Sequence, residues 1–331
     1  MRNTRQAPLD GLRYFPIYLE SLRVNAVLDF DLYLERGREF ILFRAASLPF
    51  TDKTRQNLLD NNITHLYVAA SDSRVYYRYL ETCLGDLVRD TSIRETRRAN
   101  LVYETALFLI KDLFAKPTFG QNIRRSQDLV QSTVSFILAS RSAFAALLDI
   151  LAFDYTTYTH SVNVCALALV LARQSGITDP RELHALGTGA LLHDIGKTKV
   201  PDNILNKVEP LTPDEMFLIR RHPKWGFDLA KETDLLAPES YYPITQHHER
   251  ENGTGYPLGI GSKLIHPYSK ITAIADAFDA MTTEKPYRPA IGAFPALKLM
   301  FDDHGAFDHA LLEAFTMMLG PKEGFSEEPE E

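Results

Sequence analysis

Cysteine is nearly absent from this 331-residue chain: only Cys83 and Cys165 occur, far apart and in no CxxC pair. That excludes a disulfide framework and suits a reducing compartment. Long hydrophobic runs are missing too. The longest near-apolar stretch, Val164 to Ala172, is half of what a membrane-spanning helix needs, and the opening MRNTRQAPLDGLRYF has no apolar segment of a secretory leader. Positive charge is not in excess either. Against 36 Lys and Arg stand 43 Asp and Glu, a net charge of −7, the wrong balance for a nucleic-acid-binding face. These absences lead us to expect a soluble cytoplasmic protein that binds no DNA, no RNA and no membrane. An anionic ligand would have to be held by local cations against the global charge.

What is present is ordinary globular composition, 45% hydrophobic and 24% charged, in a chain long enough for one large or two medium domains. Neither internal repeats nor low-complexity segments interrupt it. Within residues 14–95, YFPIYLESLRV, DFDLYLE, REFILFRAA and THLYVAA alternate as strands do, while TDKTRQNLLDNN, with a Thr cap, and SRVYYRYLETCLGDLV have helical period. Tyr76, Tyr77 and Tyr79 on the second of these read as core or interface. We therefore expect an α+β chain: a small α/β domain over 1–98 with a sensory or dimerising role, a helical connector over 99–145, an all-α domain over 146–322 and a disordered acidic tail over 323–331. The all-α part reads as five to seven helices. Asp179 followed by Pro180 and Glu182 marks one helix start. Thr212 with Pro213 and Glu215 forms a capping box for another, and Gly176 ends the helix that begins near His160.

The distinctive residues of the C-terminal part are His160, His193, Asp194, His222, His247, His248 and Asp276. Imidazoles mixed with carboxylates suit first-row metals rather than calcium or magnesium alone. Five His and two Asp exceed the three or four protein ligands of one catalytic ion, and fit two ions that share a bridging carboxylate. Neighbours on a helix diverge by about 100°, so His193-Asp194 and His247-His248 must sit at helix ends or serve different ions. Singly, each piece has an ordinary explanation: a helix-end imidazole for His222, a hydrogen-bonded buried carboxylate for Asp276. Asp279, three residues on, reads as an exposed structural residue, and His65, His184, His266, His304 and His309 as unrelated to the cluster. It is their occurrence together in one helical domain that gives the pieces weight.

HSVNV, LLHDIGK, RRHPKWG, HHERENGTGYP, IADAFDAM and KPYR, in that order, resemble the HD-GYP family of phosphodiesterases over about residues 145–320. The resemblance implies an HD-type helical bundle that hydrolyses cyclic di-GMP to pGpG, and onward to GMP, through a metal-bridging hydroxide. It implies two divalent ions, iron or alternatively manganese. His160, His193, Asp194 and Asp276 would hold one ion, and His222, His247 and His248 the other, with Asp194 bridging and acting with Lys197 in catalysis. Lys197, Lys285 and Arg288 would meet phosphate, and Gly255, Tyr256 and Pro257 form the signature loop beside the substrate. A homodimer and a signalling partner docked on that loop are compatible with this reading. The alternatives are a low-turnover binding module for cyclic dinucleotides, or a hydrolase for another one such as cyclic GMP-AMP. The chain departs from the family pattern twice. Thr156 stands where three-metal members carry a glutamate, which favours two ions, and Asn252 stands where Asp is frequent, which removes a charge from the loop.

Overall fold

The computed structural model describes residues 13–115, 119–151, 157–284 and 289–320. They fall into two compact units, 1–105 and 106–331. In the first, β1 (Tyr14–Tyr18), β2 (Ala26–Val27), β3 (Leu32–Arg36), β4 (Glu39–Arg44) and β5 (Pro49–Phe50) precede α1 (Asp52–Asp60). There follow β6 (His65–Ala69), α2 (Ser73–Arg89) and α3 (Glu95–Ala115), and the division between the units falls inside this last helix. The expected Thr cap is there: Thr51 accepts the Thr54 N–H ahead of α1, one of the donors a helix start leaves unmatched.

Four strands form a sheet in the order β1–β6–β3–β4, every pairing antiparallel. The unit is thus an antiparallel sheet with helices, without the parallel crossovers that an α/β label brings to mind. Period-two burial explains its core. Phe15 and Ile17 of β1, Leu66 and Val68 of β6, and Leu32 of β3 are buried, as are Tyr76, Leu80, Leu84 and Leu87 along one side of α2. Tyr76 meets Phe15 and Phe30 edge-on at 5.7 and 5.6 Å, and its hydroxyl bonds the Ser21 hydroxyl at 3.1 Å. Tyr76 and Tyr77 are core residues, and Tyr79 is half-buried.

The second unit is helical throughout its described residues: α4 (Phe119–Ala139), α5 (Arg141–Asp149), α6 (Thr157–Gln174), α7 (Pro180–Leu191), α8 (Asp202–Leu205), α9 (Pro213–Ile219), α10 (His222–Lys231), α11 (Tyr241–Gln246), α12 (Pro267–Thr282), α13 (Ala293–Asp302) and α14 (His309–Leu319). From α6 onward this is more helices than the five to seven expected, because α8, α9 and α11 are too short to show a period of their own. α6 is the central rod. Its run Val164–Ala172 is apolar on all sides and buried on all sides, as a helix enclosed by others must be, and the helix packs against α7, α12 and α14. α4 and α5, expected as a connector, pack within this unit, α4 on α7 and α5 on α4. Both cap readings hold: Asp179 caps α7 with Pro180 behind it, and Thr212 with Glu215 closes a reciprocal capping box on α9. Gly176, at φ +91°, ends α6. No described helix is long and apolar enough to cross a membrane.

Candidate metal centre

Five segments converge beside the first turn of α6. His160 comes from that turn, while His193 and Asp194 follow the end of α7, where the chain tightens into a 3₁₀ turn over Ile195–Lys199. His222 opens α10, His247 caps α11 with His248 behind it, and Asp276 sits in mid-α12. The paired residues stand at helix ends, which is how neighbours that would diverge on a helix face a common point. Except for the partly exposed His248, all of them are buried.

Gly196 makes the convergence possible. A Cβ there would overlap the His222 carbonyl and come within 2.5 Å of Gly226 N. Backbone therefore lies directly on backbone, bringing the turn after α7 against the start of α10.

Four imidazoles are oriented in the same way. Nδ1–H of His193 donates to Ala190 O at 2.7 Å, that of His222 to Ile219 O at 2.8 Å, and that of His247 to Pro243 O at 2.7 Å. His160 Nδ1 instead meets a carboxylate, Asp279 Oδ2, at 2.7 Å. With Nδ1 as donor, each ring turns Nε2 and its lone pair inward. Burial pushes His222 down to about 4, although Asp194 pulls it the other way. Burial and the neighbouring imidazoles hold His247 well below the usual histidine range, and burial does the same to His248 despite Asp276. Burial alone would raise Asp194 and Asp276. Lys197 and His193 outweigh it at Asp194, and His160 and His248 at Asp276, so both stay well below the carboxylate range.

The result is a ring of acceptors aimed at one another. His222 Nε2 lies 3.1 Å from His247 Nε2 and 3.2 Å from Asp194 Oδ1. Neither ring nitrogen carries a proton to share, since both are spent on Nδ1. His193 Nε2 and Asp194 Oδ1 are buried with no hydrogen-bond partner among the described residues. Buried acceptors without donors are costly, and a cation is the partner that this arrangement fits. Two groups have donor atoms within 4.8 Å of one another, Asp194 with His222, His247 and His248, and His160 with His193 and Asp194. Asp194 is common to both. Asp276 lies across the cluster, with Oδ1 3.1 Å from His160 Nε2 and Oδ2 3.6 Å from His248 Nδ1. Lys197 Nζ donates to Asp194 Oδ2 at 2.5 Å.

Two neighbouring carboxylates have roles that the sequence reading missed. Asp279 is buried, not exposed as expected: besides His160 it accepts the Asn163 amide at 2.7 Å, so it orients a cluster imidazole. Asn163, three residues beyond His160 in HSVNV, was the available signal. Glu249, also buried, holds the following loop by accepting the backbone N–H of Leu258 at 2.7 Å and of Ile260 at 3.1 Å. Under that loop Gly255 has no room for a side chain, since a Cβ would lie 2.5 Å from His248 O and Arg250 N. The Tyr256 ring stacks on His248, centroids 4.5 Å apart, and the Tyr256–Pro257 peptide is cis. Asn252 keeps the turn without the missing charge. Its Oδ1 accepts from Thr254 N and Oγ1, and its amide donates to His304 O at 3.3 Å, a bond that a carboxylate could not make. Elsewhere His184 bonds the Gln127 carbonyl and His266 caps α12, outside the cluster as expected. Lys285, Arg288 and Thr156 lie outside the described residues.

A family model described as HD domain matches residues 127–311. The chain belongs to the HD-domain family. That family implies a divalent-metal site, and the His and Asp cluster is in place for one. A cyclic di-GMP phosphodiesterase of Pseudomonas aeruginosa is 36% identical over 228 residues, 68% of this chain and 55% of that protein. A 3′3′-cGAMP-specific phosphodiesterase of Vibrio cholerae is 34% identical over 146 residues, 44% of this chain and 33% of its own. The HD-domain chain thus spans about half, or less, of the curated relatives it matches. A solved structure, an HDG"Y"P protein from Bdellovibrio bacteriovorus, superposes with a TM-score of 0.65 at 26% identity, covering 92% of this chain and 99% of the other. The HD-GYP resemblance drawn from the motifs is borne out.

Proposed function

We propose that this HD-domain protein is a metal-dependent phosphodiesterase that hydrolyses cyclic di-GMP to pGpG and onward to GMP in the cytoplasm. The observation that carries the reading is the ring of buried acceptors around Asp194, with His222 Nε2 and His247 Nε2 facing each other at 3.1 Å. His160, His193, Asp194 and Asp276 would hold one ion, and His222, His247 and His248 a second with Asp194 shared, iron or alternatively manganese. Ions bound there would lower the pKa of water and neutralise charge on the diester oxygens.

The remaining work falls to the chain. Backbone carbonyls and Asp279 fix the imidazole orientations before substrate arrives, so little reorganisation is needed during the reaction. Lys197, tethered to Asp194, keeps an ammonium beside the reacting phosphate, where it stabilises developing negative charge. Lys285 and Arg288 would meet phosphate, a local offset to the net charge of −7. Gly255 and Tyr256 form the wall beside His248.

A second reading within the same chemistry, hydrolysis of cyclic GMP-AMP, is supported by the Vibrio cholerae relative, whose identity is close to that of the cyclic di-GMP enzyme. The deciding experiment is metal stoichiometry on anaerobically purified protein, with hydrolysis of both cyclic dinucleotides measured on the same sample. We expect two ions per chain and conversion of cyclic di-GMP to pGpG or GMP. Two ions without turnover would point to a binding module, and no metal after iron and manganese have been offered would overturn the reading.

A further inference from the structure

The metal cluster has an aromatic exit. His248 is its least buried imidazole, Tyr256 stacks on it at 4.5 Å, and the guanidinium carbon of Arg220 lies 5.1 Å from the Tyr256 ring centroid. The Tyr256 ring thus lies against both the His248 imidazole and the Arg220 guanidinium. The three groups form a ladder from buried metal-binding nitrogen to exposed cation.

Arg220 is firmly seated. It caps α9 and stands two residues before His222, so the helix junction that positions that imidazole also fixes the reach of the guanidinium. Its neighbour Arg221 is turned the other way, onto Trp225 of its own helix at 4.9 Å. Arg220 is exposed, and among the described residues no carboxylate pairs with it. In an acidic chain an unpaired arginine laid over an aromatic ring is presented to something outside. A guanidinium held flat by a ring keeps its N–H fork free for bidentate contact with phosphate.

We propose that Arg220 is a substrate-binding residue, its guanidinium taking the non-reacting phosphate of a cyclic dinucleotide with Tyr256 behind it. This rests on the phosphodiesterase reading above. A cyclic dinucleotide carries two phosphates on opposite sides of its ring. With one at the cluster beside Lys197, the other points outward, and Arg220 stands two ring-to-ring steps out from His248.

The test compares R220A and R220K with the parent protein on cyclic di-GMP and on bis(p-nitrophenyl) phosphate, which has one diester and no second phosphate. For R220A we expect KM for cyclic di-GMP to rise about 10- to 100-fold, the range of a charge-assisted contact, with kcat within about twofold, as for a contact made equally before and during reaction. Both parameters on the small diester, and the metal content, should stay at parental values, and R220K should recover part of the lost affinity. An unchanged KM in R220A overturns the proposal, as does an equal loss on both substrates, which would mean that Arg220 acts only by seating His222. R220K no better than R220A also overturns it. If the parent cleaves the small diester but no cyclic dinucleotide, the reading beneath the proposal fails instead.

Discussion

Two polar clusters, one in each unit, are buried in opposite ways. Around α2 of the first, the buried Tyr76 hydroxyl meets the Ser21 hydroxyl, and Tyr79 accepts the backbone N–H of Arg23 at 2.7 Å; there donors find acceptors. In the second, acceptors meet acceptors, their protons already committed elsewhere. Matched polar burial contributes to one folded arrangement. Mismatched burial works against folding, and it is tolerated where a partner from solution completes it. The difference separates a scaffold from a site without reference to any relative.

That contrast can be broken most severely at Asp194, the residue common to both groups. Asp194→Ala should reduce bound metal to background and cut hydrolysis by about 10³-fold or more, beyond the loss of a single charge-stabilising donor. It should also abolish the rise in melting temperature that added metal gives the parent. Elemental analysis and calorimetry on the same samples check this. Activity surviving the change would rule out a shared ligand.

In the first unit the corresponding wound is a cavity. Phe15→Ala removes a ring that is 1% exposed among Tyr76, Tyr77 and the sheet. It should cost about 3–5 kcal/mol of that unit's stability in denaturant titration, with metal stoichiometry in the folded protein unchanged.

Asp279→Asn is gentler. It keeps the shape but weakens the bond that orients His160, and metal affinity should fall about 10- to 100-fold with little change in melting of the metal-free protein. Competition with a coloured chelator reads this directly. A melting loss with unchanged affinity would make Asp279 a packing residue.

The smallest effect concerns Glu104 on α3, where burial pushes the carboxyl up to about 7, with Arg97 opposing. Below the unfolded value of 4.5 both states are protonated and nothing is lost. Between 4.5 and 7 the folded state holds its proton longer, so stability falls as pH rises and then levels off. Glu104→Gln should remove that slope and raise stability at pH 8. A parallel pH profile in the variant would refute the assignment.

How much of this was legible beforehand follows from the range of each interaction. Caps are local, so Thr51, Asp179 and the Thr212–Glu215 box could be read from neighbouring letters. Strand alternation marked Phe15 and Ile17, and the co-occurrence of seven His and Asp residues marked the cluster. Asp279 was misjudged because periodicity does not tell whether a polar residue of α12 faces water or α6, and its partners His160 and Asn163 lie more than a hundred residues away. Glu249 hid inside a run of metal-avid letters, though its carboxylate serves two backbone amides of the loop. The short helices α8, α9 and α11 offer too few turns for any pattern.

Gly196 also bears on how this protein can change over generations. Its backbone rests on that of α10, so any replacement pushes two ligand-bearing segments apart at once, and no neighbouring side chain can be trimmed to compensate. The two segments of the His and Asp cluster are therefore fixed as a block. Arg220, on the exposed rim, is under no such constraint, and substitutions there leave the fold alone. Substitution is therefore open at the rim of the cluster and closed at its floor.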